Sequence, residues 1–300
     1  MPERPGTIGP PSAGGRPGAT ELLVITDDGV ELAGQEAVEG ASSGSPPSPI
    51  VLLHGLTATR RYVVMGSRVL ERSGLRTIAY DARGHGHSAP APGRSAYGYE
   101  HLARDLLSVL DTLGIDRAVL AGASMGAHTI VRFALHHPER VAALGLITPA
   151  FDPDEATTGP DAYAGWDALA RGLREGGVEG FLAAYDFSAV PSAWRSTVET
   201  VVRQRLSAHD HPEAVADALE VVPRSRPFEQ IEELTAIQAP ALVIASRDEA
   251  DPGHPLAVGE RYALTIPDAK LIVEDPGQSP IAWQGGQLSK ALLSLAERSS

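Results

Sequence analysis

The chain has 300 residues, 43% of them hydrophobic, and a formal net charge of −13. That length can bury one large core, or one core with a lid, while the acidic balance argues against nucleic acid and anionic membranes as partners. With no cysteine, disulfides, thiolate nucleophiles and zinc–thiolate centres are excluded. Lys270 and Lys290 are the only lysines, which leaves little scope for Schiff-base chemistry. No apolar run is long enough to span a bilayer, and the first twenty residues lack the apolar stretch of a secretory signal. The expectation is a soluble, cytoplasmic protein.

In chain order, residues 1–20 form a Pro/Gly-rich tail too polar to order itself. Glu21–Ile25 and Val30–Ala33 flank Asp27-Asp28-Gly29, a hairpin signal. Ala41–Pro49 is a Ser/Gly/Pro loop. Ile50–Leu53 reads as a buried strand that leaves through His54-Gly55-Leu56-Thr57. A helix is predicted over Tyr62–Ser73, a second buried strand over Thr77–Tyr80, and an amphipathic helix over Tyr99–Leu113. Between the last two lies Asp81-Ala82-Arg83-Gly84-His85-Gly86-His87-Ser88. Its spacing matches no zinc pattern, so a structural loop is expected.

Ala118-Val119-Leu120-Ala121 then runs into Gly122-Ala123-Ser124-Met125-Gly126, followed by apolar residues at helical spacing up to Pro138. Strand, sharp turn and helix in that order are the context of a nucleophile elbow. Ser124 would sit at the tip, before the positive end of the helix. An oxyanion hole needs two N–H donors: Met125, directly after the serine, and Leu56, after the earlier strand, are the expected pair.

Four segments together, His54-Gly55, Asp81-x-Arg83-Gly84-His85-Gly86-x-Ser88, Gly122-x-Ser124-x-Gly126 and His137-Pro138-Glu139-Arg140-Val141, resemble the α/β-hydrolase superfamily in order and spacing. The chain is similar to its capped esterase, lactonase and peptidase-like branches. The resemblance implies an α/β fold with a mostly parallel sheet flanked by helices. Its core would be residues 21–151 and 236–300, with a helical cap at 152–235. Trp166, Phe181, Tyr185, Phe187 and Trp194 are candidates to line the substrate side of that cap. No external cofactor is implied and no metal is expected; His209 and His211 beside Asp210 read as a solvated turn.

The resemblance also places a triad acid after the strand Pro240–Ala245. Asp248 is the first choice, Glu249 the rival and Asp152 a lesser alternative. A histidine should follow the last strand, Leu271–Val273, but Gln278 occupies that position in Pro276-Gly277-Gln278-Ser279-Pro280. A glutamine amide cannot take a proton from a serine hydroxyl near neutral pH. Three readings therefore stay open. Another residue serves as base, with His254 or His128 as candidates. Alternatively, the site performs elimination, cyclisation or isomerisation without an acyl-enzyme, or the chain binds a ligand without turnover. The expected partner is a small acyl or carbonyl compound such as an ester or lactone; the sequence is silent on oligomeric state.

Overall fold

The computed structural model describes residues 18–39, 48–154, 162–247 and 251–298. Most of the expected tail and of the Ser/Gly/Pro loop lie outside these. Alternating apolar segments condense into one eight-stranded sheet. Its strands are β1 (Ala19–Ile25), β2 (Glu31–Ala37), β3 (Ile50–Leu53), β4 (Thr77–Tyr80), β5 (Ala118–Ala123), β6 (Val141–Ile147), β7 (Ala241–Ala245) and β8 (Ala269–Val273). The spatial order is β1-β2-β4-β3-β5-β6-β7-β8, antiparallel through β1, β2 and β4 and parallel from β4 onward. β1 begins two residues before the expected Glu21, and its hairpin turns on Gly29 at φ +83°, a conformation glycine adopts without steric cost.

Helices cover both faces because the central strands are apolar on both. Helices α2 (Tyr99–Thr112), α3 (Met125–His136) and α7 (Leu256–Thr265) pack Leu106, Ile130, Phe133 and Tyr262 on one side. On the other side, α1 (Val69–Arg72) and α8 (Gly285–Arg298) supply Leu70, Leu288 and Leu292. The helix expected over Tyr62–Ser73 is shorter than predicted. Met65 and Gly66 adopt φ of +47° and +74°, which interrupts helical hydrogen bonding and leaves only the four residues of α1.

Between β6 and β7 the chain forms α4 (Ala164–Ala184), α5 (Ser192–Leu206) and α6 (Pro212–Val221). These helices have their own apolar cluster, including Leu173, Phe181, Val202 and Leu219. α4 comprises two helical runs that meet at a kink, where Gly177 leaves helical geometry at φ +58°. Near that bend the backbones of Gly172 and Gly180 touch, and a Cβ on either would overlap the other's carbonyl.

The loop after β4 is structural, as its glycines suggest. Arg83 is fully buried; its Nε donates to Asp105 at 2.8 Å and its Nη1 to Asp28 at 2.9 Å. Two carboxylates and the Ala96 carbonyl at 3.0 Å thus satisfy a guanidinium that would otherwise be costly to bury.

Candidate active site

β5 and α3 meet too closely for side chains on the turn between them. A Cβ on Gly122 would overlap the Gly126 backbone, and one on Gly126 would overlap the Leu53 carbonyl at the end of β3. The chain closes the turn by placing Ser124 at φ +50°, ψ −111°, a conformation non-glycine residues rarely adopt. The Ser124 N–H is anchored to the Ile147 carbonyl at 2.9 Å, so the side chain projects above the strand ends. Met125 opens α3, and its N–H has no partner within the helix. Leu56 N–H likewise donates to no carbonyl among the described residues. Gly55 lies so near that an added Cβ would sit 3.4 Å from the Ser124 Cβ.

The imidazole facing Ser124 belongs to His254. Its Nε2 lies 2.8 Å from Ser124 Oγ, and its Nδ1 lies 2.8 Å from Asp251 Oδ1. A carboxylate acceptor fixes the proton on Nδ1 and turns the Nε2 lone pair toward the serine hydroxyl. Asp251 and His254 are ends of a single turn, Asp251-Pro252-Gly253-His254, closed by the His254 N–H to Asp251 carbonyl bond at 3.1 Å. Burial would raise the Asp251 pKa, but the adjacent His254, its hydrogen bond and the charge of Arg205 outweigh it and hold the carboxyl below its usual range.

Several expected placements change. Gln278 was expected beside Ser124; instead it is exposed on the turn after β8, with its N–H on the Asp275 carbonyl at 3.0 Å, and does not line the cavity. Asp248 and Glu249 lie outside the described residues. Asp152 is engaged by Arg261 at 2.7 Å rather than by an imidazole. Sequence reasoning missed Asp251 as the histidine's partner, although Asp-Pro-Gly-His is itself a β-turn signature, with Pro at the second position. Such a turn brings its first and last side chains together.

Three other histidines, His54, His128 and His209, are committed elsewhere. His54 Nε2 accepts from the Ala82 N–H at 2.9 Å, and its Nδ1–H donates to the Gly55 carbonyl at 2.8 Å. His128 Nε2 accepts from the Ala150 and Phe151 N–H groups at 3.0 and 3.1 Å, so its Nδ1–H donates to the Tyr99 hydroxyl at 2.9 Å. Burial, with a smaller contribution from His254, lowers the His128 pKa to about 3. It stays neutral and is no rival base. His209 is not a solvated turn residue. Its Nδ1 accepts from Gly86 N–H at 2.8 Å and its Nε2–H donates to the Thr57 carbonyl at 3.0 Å. Among the described residues no group of three or more His, Asp or Glu is placed to hold a metal.

Ser124, His254 and Asp251 open into a cavity of about 1370 Å³ between the strand ends and the inserted helices. Trp166, Phe181, Tyr185 and Trp194 line it; Phe187 does not and packs instead with the helices' own cluster. This fold and site can be set beside known proteins. The model of the α/β-hydrolase fold family matches residues 48–186. A 2-hydroxy-6-oxononadienedioate/2-hydroxy-6-oxononatrienedioate hydrolase of Burkholderia vietnamiensis is 32% identical over 267 residues, covering 85% of this chain and 87% of the relative. The chain belongs to the α/β-hydrolase family. Among solved structures, this hydrolase resembles the enol-lactonase from Burkholderia xenovorans (TM-score 0.71, 26% identity, 91% of this chain and 98% of the other). It also resembles a thermophilic esterase from Thermogutta terrifontis (TM-score 0.72, 27% identity, 93% and 99%). These relatives are a dienedioate/trienedioate hydrolase, an enol-lactonase and an esterase, and the chain is an α/β-hydrolase enzyme. Among its described residues no helix is long and apolar enough to cross a membrane.

Proposed function

We propose that the protein is a serine hydrolase of small esters or lactones, with Ser124 as nucleophile, His254 as general base and Asp251 as the acid that orients it. The observation that carries this reading is the unbroken pair of 2.8 Å contacts from Asp251 through His254 to Ser124 Oγ. Ser124 Oγ attacks the acyl carbon while His254 Nε2 takes its proton, and Asp251 stabilises the imidazolium that forms. The Leu56 and Met125 N–H groups receive the oxyanion. His254 then protonates the departing alkoxide, and a water activated by the same nitrogen releases the acyl group. We read residues 152–235 as the cap that covers this chemistry, with the remainder from residue 21 onward as the hydrolase core. The elimination and binder readings arose because no imidazole stood at position 278. With His254 against Ser124 that reason is gone.

Turnover of p-nitrophenyl butyrate tests the assignment. His254→Ala should lower kcat/KM by at least about 10³-fold, the scale on which serine hydrolases lose rate when a triad member is removed. A His254→Ala enzyme within tenfold of native would remove His254 from the chemistry.

A further inference from the structure

Arg205 lies near the C-terminal end of α5 and faces the cavity. Its Nε is buried without a hydrogen-bond partner, and it forms no ion pair among the described residues. The other arginines on the same helix are satisfied. Arg203 pairs with Glu179 and Glu199, and Arg195 donates to the Val190 carbonyl at 2.9 Å. The charge that acts most strongly on Arg205 is that of Asp251, ahead of the Tyr185 and Tyr62 hydroxyls, yet the bonded oxygen of that carboxylate serves His254. An unpaired guanidinium in a half-buried site is costly, and nothing in the packing of α5 needs it, since Val198, Val202 and Leu206 supply the buried face.

We infer that Arg205 is a recognition site for a substrate carboxylate, so that the enzyme prefers acyl compounds carrying a negative charge away from the scissile bond. The inference rests on the hydrolase reading above and adds the substrate class. A guanidinium offers a planar fork that matches a carboxylate with two parallel hydrogen bonds. One buried cation balances one negative charge, which favours a carboxylate over a doubly charged phosphate; of the other lining arginines, Arg61 is exposed and Arg203 is already paired. The same cavity is lined by apolar Phe181, Trp194, Val202 and Trp283, as suits an aliphatic or aromatic stem between the carbonyl and the charge. A protein of net charge −13 also needs a local cation to draw an anion into its cavity.

Two measurements test this. The first compares hydrolysis of p-nitrophenyl butyrate with that of the mono-p-nitrophenyl ester of glutaric acid. The ratio of their kcat/KM values should favour the anionic ester in the native enzyme. It should fall at least tenfold in Arg205→Gln, mainly through KM of the anionic ester, and recover partly in Arg205→Lys. If both esters lose the same factor, Arg205 acts only through Asp251 and the proposal falls. The second measurement is calorimetric titration of glutarate and of inorganic phosphate into Ser124→Ala, which needs no turnover. Glutarate should bind more tightly than phosphate, with its Kd raised at least tenfold when Arg205→Gln is added. Absence of glutarate binding, or binding indifferent to Arg205, overturns the carboxylate site even where ester hydrolysis stands. Stronger binding of phosphate would assign the site to a different anion. Should neither ester be hydrolysed, the titration still decides the role of Arg205.

Discussion

At Ser124 the backbone itself serves the proposed chemistry. The positive φ of +50° closes the turn between β5 and α3. Only the absence of side chains at Gly122 and Gly126 lets neighbouring backbones close around it. That much was legible from the Gly-x-Ser-x-Gly spacing, because its steric requirement is local. The identity of the base was not, because it depends on where a loop more than a hundred residues away descends on the serine. Gln278 held the expected sequence position and His254 holds the contact. Asp251→Asn leaves the turn intact but offers an amide that can select the wrong imidazole tautomer, so ester kcat should drop by roughly 10²–10⁴-fold. Gln278→Ala should stay within threefold of native. Steady-state rates with p-nitrophenyl butyrate check both, and a larger loss from Gln278→Ala than from Asp251→Asn would reverse the assignment.

Among the elements, the loop between β7 and α7 carries both the proposed base and its acid. The turn after β8 is left at the surface. The inserted helices reach the site through His209, between α5 and α6, which bonds the Thr57 carbonyl in the Leu56 loop and the Gly86 N–H in the loop after β4. Sequence reasoning saw His209 only as a solvated residue beside Asp210, since its partners are far away in the chain. Burial lowers its pKa to about 4, against a smaller upward pull from the Thr57 carbonyl. The unfolded chain binds this proton near pH 6.5. The neutral ring therefore contributes fully above about pH 6.5, and its contribution is lost as pH falls toward 4. His209→Gln keeps one acceptor and one donor but cannot titrate. Melting temperatures followed from pH 7 to pH 4 should fall less steeply in His209→Gln than in the native protein, while buried His128 leaves a residual slope in both. Parallel curves would show that His209 does not carry the acid sensitivity.

Across the whole molecule, the sheet was the most legible part. Ile50–Leu53, Thr77–Tyr80, Ala118–Ala123 and Ala241–Ala245 are short apolar runs that only a buried parallel sheet can use. Helix limits were less so: positive φ at Met65 shortened one helix. The cavity lies where these parts meet, between the strand ends, the inserted helices and the loop after β7, and its chemistry depends on all three being in place. The central claim is that His254 activates Ser124. The most direct measurement is the rate and site of covalent labelling by a fluorophosphonate, read by intact-protein and peptide mass spectrometry. The native protein and Gln278→Ala should each take up one label at Ser124 at similar rates. Ser124→Ala should take up none, and His254→Ala should react at least about a hundredfold more slowly. Labelling of His254→Ala at the native rate, or a label found on a residue other than Ser124, would contradict the account.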